Sequence, residues 1–150
     1  MDLTDKIDKE FSQLASLADD RIDLAHGALL IAKAAYSELN ESLYLNRLDQ
    51  MASRVKLDMT ANADTPEDII AKLNDIIFEQ DKFRGNSKNY YDPDNSFLNR
   101  VIDRKTGIPI TLSIIYIEVA GRLGLDVRGI ELPGHFIAVL YHASGEIFIP

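Results

Sequence analysis

The sequence predicts an α+β fold, with a helical N-terminal half packed on a core of one central buried helix and a small antiparallel sheet. Three observations carry this reading. Up to Phe83, apolar residues recur at three- and four-residue steps, the spacing of amphipathic helices. Ile108 to Leu123 is apolar almost all the way round and stops at Gly124. Three short strand-like segments, separated by turn residues, then follow. Residues 1–82 thus form a helical region and 83–150 the core, expected to fold as one compact unit. The 150-residue length suits one domain.

Leu3, Ile7, Phe11, Leu14 and Leu17 mark a first amphipathic helix, and a second runs from about Arg21 to Tyr36. Gly27, inside the second, costs ~1 kcal/mol relative to alanine and suits close helix packing. A third helix spans Ser42 to Leu57, with Leu45, Leu48, Met51, Ala52 and Val55 facing inward. The fourth has the clearest start: Thr65 as N-cap, Pro66 in the first turn, and Glu67 and Asp68 against the positive helix end. Ile69, Ile70, Leu73, Ile76, Ile77 and Phe78 carry it to about Gln80.

From Phe83 to Asn95 turn-forming residues dominate, with Tyr90 and Tyr91 adjacent. Asn95 or Ser96 is expected to cap a short helix through Phe97, Leu98, Val101 and Ile102, followed by a turn at Lys105-Thr106-Gly107. Pro109 is tolerated in the first turn of the central helix. The strands are expected at Val127–Leu132, His135–Tyr141 and Glu146–Ile149. Pro133-Gly134 separates the first two, and His142-Ala143-Ser144-Gly145 turns into the third. The last strand is cut in mid-run at Pro150, as in a fragment of a longer protein.

Composition limits the chemistry. The 150 residues contain no cysteine, which excludes disulfides, thiolate metal sites and a cysteine nucleophile within them. A net charge of −8 disfavours nucleic acid as a partner. Arg100, Arg104 and Lys105 gather locally and read as solvated surface around a helix end. No window approaches the ~20 apolar residues of a membrane span. The first residues lack a secretory signal, so a cytoplasmic location is expected. Three scattered histidines and the Asp92, Asp94, Asn95 group match no metal-ligand spacing, and no glycine loop opens a helix to hold phosphate. No metal or cofactor is expected.

Five ordered blocks carry more information than any of these. They are Phe83-Arg84-Gly85-Asn86, Asn89 to Pro93, Asn95 to Val101, Gly107 to Ser113, and Leu132-Pro133-Gly134-His135-Phe136. Together with the helical lead-in from Ile22, they resemble the SirB-type transglutaminase-like family over about residues 21–149. Active members of the wider superfamily carry a Cys at the start of the buried helix, a His on a following strand and an Asp on the next. The resemblance puts the cysteine slot at about Pro109, the His slot at His135, and the Asp slot at about Ile149 or beyond Pro150. It further implies regulatory association with a protein partner and, in longer members, a following region of tetratricopeptide-type helical repeats.

His135 is therefore the candidate catalytic residue, weighed against a histidine bonded to backbone or a carboxylate. By strand alternation it shares a face with Ile137 and Val139. Thr111 and Ser113 lie within about a turn of the vacated slot. Either could replace the thiol, although a hydroxyl early in a helix more often caps or back-bonds. Tyr90, Tyr91, Asp92, Asn95, Asn99 and Arg100 are expected to form a polar network. It either braces the central helix or lines a binding groove with Pro109 and His135. The favoured reading is a non-catalytic domain, a pseudoenzyme, that binds protein through a vestigial groove. The alternative is a divergent hydrolase or acyl-transfer enzyme that uses His135 with a Ser or Thr hydroxyl or water.

Overall fold

The computed structural model describes residues 2–16, 23–59, 65–133, 135–142 and 145–149. Four helices lead: α1 (Leu3–Ala15), α2 (Leu24–Ala35), α3 (Glu41–Asp58) and α4 (Pro66–Asn74). Each start has a local cause or its absence. The Asp2 carboxylate accepts from Thr4 N–H and that of Asp23 from His26 N–H. Thr65 and Asp68 form a reciprocal capping box, each side chain accepting from the other's backbone. At α3, Asn40 occupies the cap position without a side-chain bond. The expected helix ends at Leu17 and at Arg21 to Ile22 lie outside the described residues.

Gly27 faces α1 closely. A methyl group there would sit 3.1 Å from Leu14 Cδ2. On α3 the buried face is Tyr44, Leu48, Met51, Ala52 and Val55. Leu45, expected inward, packs half-buried against the core, and beside it the Tyr44 hydroxyl donates to Asp103 at 2.9 Å. The helix of α4 widens into a π-helical turn over Asp75–Gln80, with Asp81 N–H donating to Ile76 C=O. The extra residue per turn rotates the face: Ile76 and Ile77 stay in the core, while Phe78 is 37% exposed.

The core half begins with β1 (Arg84–Gly85), which pairs in parallel with β2 (Thr106–Gly107). Between them lie a 3₁₀ turn at Pro93–Ser96 and α5 (Leu98–Arg104). Here the expected cap is corrected. Phe97 holds the N-cap position with no side-chain bond. Asn95 is turned inward, because the 3₁₀ turn tightens the backbone before α5 starts. Lys105 then takes a left-handed conformation, φ 55°, between α5 and β2.

α6 (Pro109–Arg122) is the central helix and packs against α2, α3, α5 and the sheet. Its buried face is Thr111, Ile115, Tyr116, Val119 and Ala120. Its first turn is more open than expected from an apolar run, with Ile110 46% exposed. It ends in a Schellman arrangement. Leu125 N–H bonds to Ala120 C=O, Gly124 N–H bonds to Gly121 C=O, and Gly124 sits at φ 78°.

β3 (Asp126–Leu132), β4 (His135–His142) and β5 (Gly145–Ile149) form an antiparallel sheet in that order. The register sets Val127 opposite Leu140 and Leu132 opposite His135. Gly134, and Ala143 and Ser144 of the second turn, lie outside the described residues. One hydrophobic cluster runs from Ala25 and Leu29 on α2, through Leu48, Val55 and Leu73, to Val119 on α6 and Leu140 on β4. The helical lead-in and the sheet thus share a core. Among the described residues, no helix is long and apolar enough to cross a membrane.

Candidate functional site: a groove at the start of the central helix

Before α5, the loop over residues 86–95 is held by one buried side chain. Asn95, 1% exposed, donates from Nδ2 to the carbonyls of Asn89 (3.0 Å) and Tyr90 (2.9 Å). Its Oδ1 accepts from Asn86 Nδ2 at 3.0 Å. The backbone carbonyl of Asn95 accepts from the Thr111 hydroxyl at 2.8 Å, tying the loop to the first turn of α6. Thr111 Oγ1 also accepts from Ile108 N–H at 3.2 Å and lies 3.1 Å from Ile108 C=O. With the residue 4% exposed, that hydroxyl serves as a cap and an anchor.

A second layer of the loop is ionic. Asp94 accepts from the Tyr36 hydroxyl at the end of α2, and from Arg100 Nε at 3.3 Å. Asp92 accepts from Asp94 N–H at 3.0 Å and pairs with Arg104 at 3.1 Å. The Tyr36 ring meets Phe97 edge-on, with centroids 5.6 Å apart. The hydrogen bond from Tyr36 holds the Asp94 carboxyl below its ordinary range, helped by the Arg100 guanidinium. The same bond raises the Tyr36 phenol. Asn99 is buried beside this network, and its Oδ1 has no partner among the described residues.

So braced, the loop presents Tyr90 and Tyr91 to solvent, 56% and 90% exposed, with their rings edge-to-face at 5.3 Å. Beside it lies a cavity of about 340 Å³. Pro109, Leu112, Ser113 and Tyr116 form one wall, Phe136, Ile137 and Ala138 of β4 another, and Gly85 and Phe78 the rest. Phe78 stacks on Tyr116 at 6.1 Å, and the Tyr116 hydroxyl donates to Asn74 at 2.7 Å. Burial pushes the Tyr116 phenol well up, so it stays protonated as a donor. Phe136 reaches the cavity across Gly129, where a methyl group would meet its ring at 2.3 Å.

The residues expected from sequence therefore fall into three places. Asp92, Asn95, Asn99, Arg100 and Thr111 make or adjoin the brace that carries Tyr90 and Tyr91. Pro109 and Ser113 line the cavity. His135 stands apart. It is exposed at the start of β4 and makes no side-chain hydrogen bond among the described residues. Ala138 and Leu140 join the core under α6, and by alternation His135 shares its face with Val139 and with Ile137, which lines the cavity. The cavity wall runs from Phe136 and stops short of His135.

Phe78, Tyr116 and Asn86 were not anticipated as site residues. Tyr116 had a readable signal: Pro109, Leu112, Ser113 and Tyr116 follow i, i+3, i+4, i+7 along one helix face. Phe78 had none, since its direction depends on the π-helical turn. Asn86 had only a weak one, a turn-forming side chain within the loop.

An α+β domain whose central helix begins at a groove, with an antiparallel strand as the opposite wall, is the class defined by this fold and site. Residues 42–150 match the family described as the transglutaminase-like superfamily, and the chain belongs to it. Among curated relatives, a UPF0162 protein of Xylella fastidiosa is 36% identical over 130 residues, covering 87% of this chain and 46% of its own. A UPF0162 protein of Vibrio cholerae is 28% identical over 127 residues, covering 85% and 46%. Mouse F-box only protein 21 is 36% identical over 69 residues, which are 46% of this chain and 11% of that protein. The chain thus spans about half the length of the UPF0162 relatives. No solved structure matches it.

Proposed function

We propose that this chain is a non-catalytic transglutaminase-like domain of the SirB type that binds a protein partner in the groove between α6 and β4. The observation that carries the reading is the make-up of the groove. The first residue of α6 is Pro109, the 150 residues contain no thiol, and the walls are mostly apolar or aromatic. The buried hydroxyls at and beside the groove are already bonded, that of Tyr116 to Asn74 and that of Thr111 to backbone. A nucleophile needs a base within hydrogen-bond reach and donors for the developing oxyanion. What remains is a concave apolar surface with few polar groups, suited to side chains of a partner.

The match to a short stretch of the much longer F-box only protein 21 supports a module carried within larger chains. A cytoplasmic, regulatory role for the whole protein, with helical repeats beyond this region, belongs to the same proposal.

The test is photo-crosslinking from Ser113 in the full-length protein, together with a Ser113→Trp variant that fills the groove. One protein partner should crosslink at Ser113, and affinity capture of that partner by the chain carrying no crosslinker should fall at least about tenfold in Ser113→Trp with the melting temperature unchanged. Ester or amide hydrolysis that His135→Ala abolishes would overturn the reading in favour of an acyl-transfer enzyme. Unchanged capture by Ser113→Trp would remove the groove from the interaction.

A further inference from the structure

The charge of the chain is unevenly distributed. In a protein of net charge −8, residues 82–105 carry six Lys or Arg against three Asp. All three acids are committed within the fold: Asp92 to Arg104, Asp94 to Tyr36 and Arg100, and Asp103 to Tyr44 and Arg47. That leaves Lys82, Arg84, Lys88 and Lys105, all exposed and without an ion pair among the described residues. The neighbouring Asp81 cannot neutralise them, since it is held by Arg54 through two bonds of 2.8 Å.

These cations border one another. Lys82 and Arg84 are exposed on either side of the buried Phe83. Arg84 N–H bonds to the Lys105 carbonyl at 3.1 Å, which puts Lys105 beside β1. Lys88 lies in the bend between Gly85 and the Tyr90–Tyr91 pair. Arg84 also precedes Gly85, which lines the groove. A basic edge therefore runs from the groove to two exposed aromatic rings.

Asn95 holds the backbone that carries the aromatic pair, through the Asn89 and Tyr90 carbonyls, and the two rings pack edge-to-face, which lowers the entropy cost of ordering them on contact. Unpaired cations next to exposed tyrosines form a surface complementary to carboxylates interleaved with apolar or aromatic side chains.

We propose that the β1 edge and the Tyr90–Tyr91 loop bind an acidic peptide segment of the partner, with its carboxylates on Lys82, Arg84, Lys88 and Lys105 and an aromatic residue on the tyrosine pair. The inference rests on the protein-binding reading and names the chemistry of what is bound. Single-stranded nucleic acid also combines negative charge with stacking, but it would bring its phosphates against a chain of net charge −8.

The experiment is fluorescence anisotropy on the full chain with three labelled probes: a Glu-rich peptide containing one Trp, the same peptide with Lys for Glu, and oligo-dT. The acidic peptide should bind and the basic one should not. Affinity should fall as salt rises, and by about tenfold or more in an Arg84→Gln, Lys88→Gln double variant. Tyr91→Ala should weaken it several-fold without changing the salt dependence. Equal binding of both peptides, or of neither, overturns the proposal. So does oligo-dT that binds more tightly than the acidic peptide and is lost in the double variant. Self-association of the full chain abolished by that variant would assign the surface to a second copy instead. Ser113→Trp separates the two readings. If it loses the crosslinked partner but keeps the acidic peptide, both stand. If the partner remains groove-dependent while no peptide binds, only this inference falls.

Discussion

At Tyr36 and Asp94, two residues 58 apart in sequence decide how firmly the loop before α5 is held. The sign of their pH dependence follows from the shifts. Asp94 is lowered from 3.8, so its contribution is present above that pH and is lost as pH falls through the lower folded value. Tyr36 is raised from 10.0, so its contribution is present below that pH and is lost as pH rises through the higher folded value. Tyr36→Phe should therefore lower the melting temperature throughout the neutral range. The gap to the native chain should narrow below about pH 4, once Asp94 is protonated. Thermal melts at a series of pH values would check this; a gap that persists undiminished in acid would show that the ring packing on Phe97 matters and the hydroxyl does not. This pair left no trace in the sequence, because its members belong to different elements that meet only after α2 packs on α5. Asn95 was legible as part of a polar network bracing the central helix, but its bonding partners were not. An Asn before an apolar helical run has the pattern of a cap, and only the 3₁₀ turn sends it inward to bond Asn86, Asn89 and Tyr90 instead.

At the scale of elements, starts and stops were the most readable features, since capping is chemistry between close neighbours. Thr65 with Asp68, Pro109 at the first turn of α6, and Gly124 past its end all act locally. Gly124→Ala would force a Cβ into φ 78° and should cost roughly 1–2 kcal/mol in urea unfolding. An unchanged midpoint would mean that the turn relaxes out of the left-handed region. What could not be read was the rotation of a helix about its own axis. The π-helical turn after α4 adds one residue to the ring of each hydrogen bond and so re-aims Phe78 at Tyr116. The strand alternation of β4 was legible, yet its consequence was not. Ala138 and Leu140 pack into the core under α6, while the groove wall takes Phe136, Ile137 and Ala138 and stops one residue short of His135.

Across the whole molecule, one core joins the helical lead-in to the sheet, with Leu48, Leu73, Val119 and Leu140 all 0% exposed. Leu48→Ala in α3 should cost roughly 2–5 kcal/mol. Far-UV and near-UV signals should still be lost in a single transition, because the cavity would open in a core shared by both halves. Two separated transitions would mean that the helices and the sheet unfold independently. The same scale explains the charge pattern. Net acidity is a property of the composition, but the basic edge exists only because Asp92, Asp94 and Asp103 are consumed by partners across the fold.

By itself, the sequence determined the α+β class, the positions of the helices and strands, the absence of a thiol from these 150 residues, and a proline at the head of the central helix. These depend on periodicity, capping and residue identity, which act over a few neighbours. The tertiary structure alone decided that Thr111 anchors the loop to α6, that Phe78 and Tyr116 wall the groove, and that His135 stands exposed at the start of β4, outside the groove lining. Each of these depends on how elements rotate and pack against one another. That is fixed by the burial of side chains far apart in the chain.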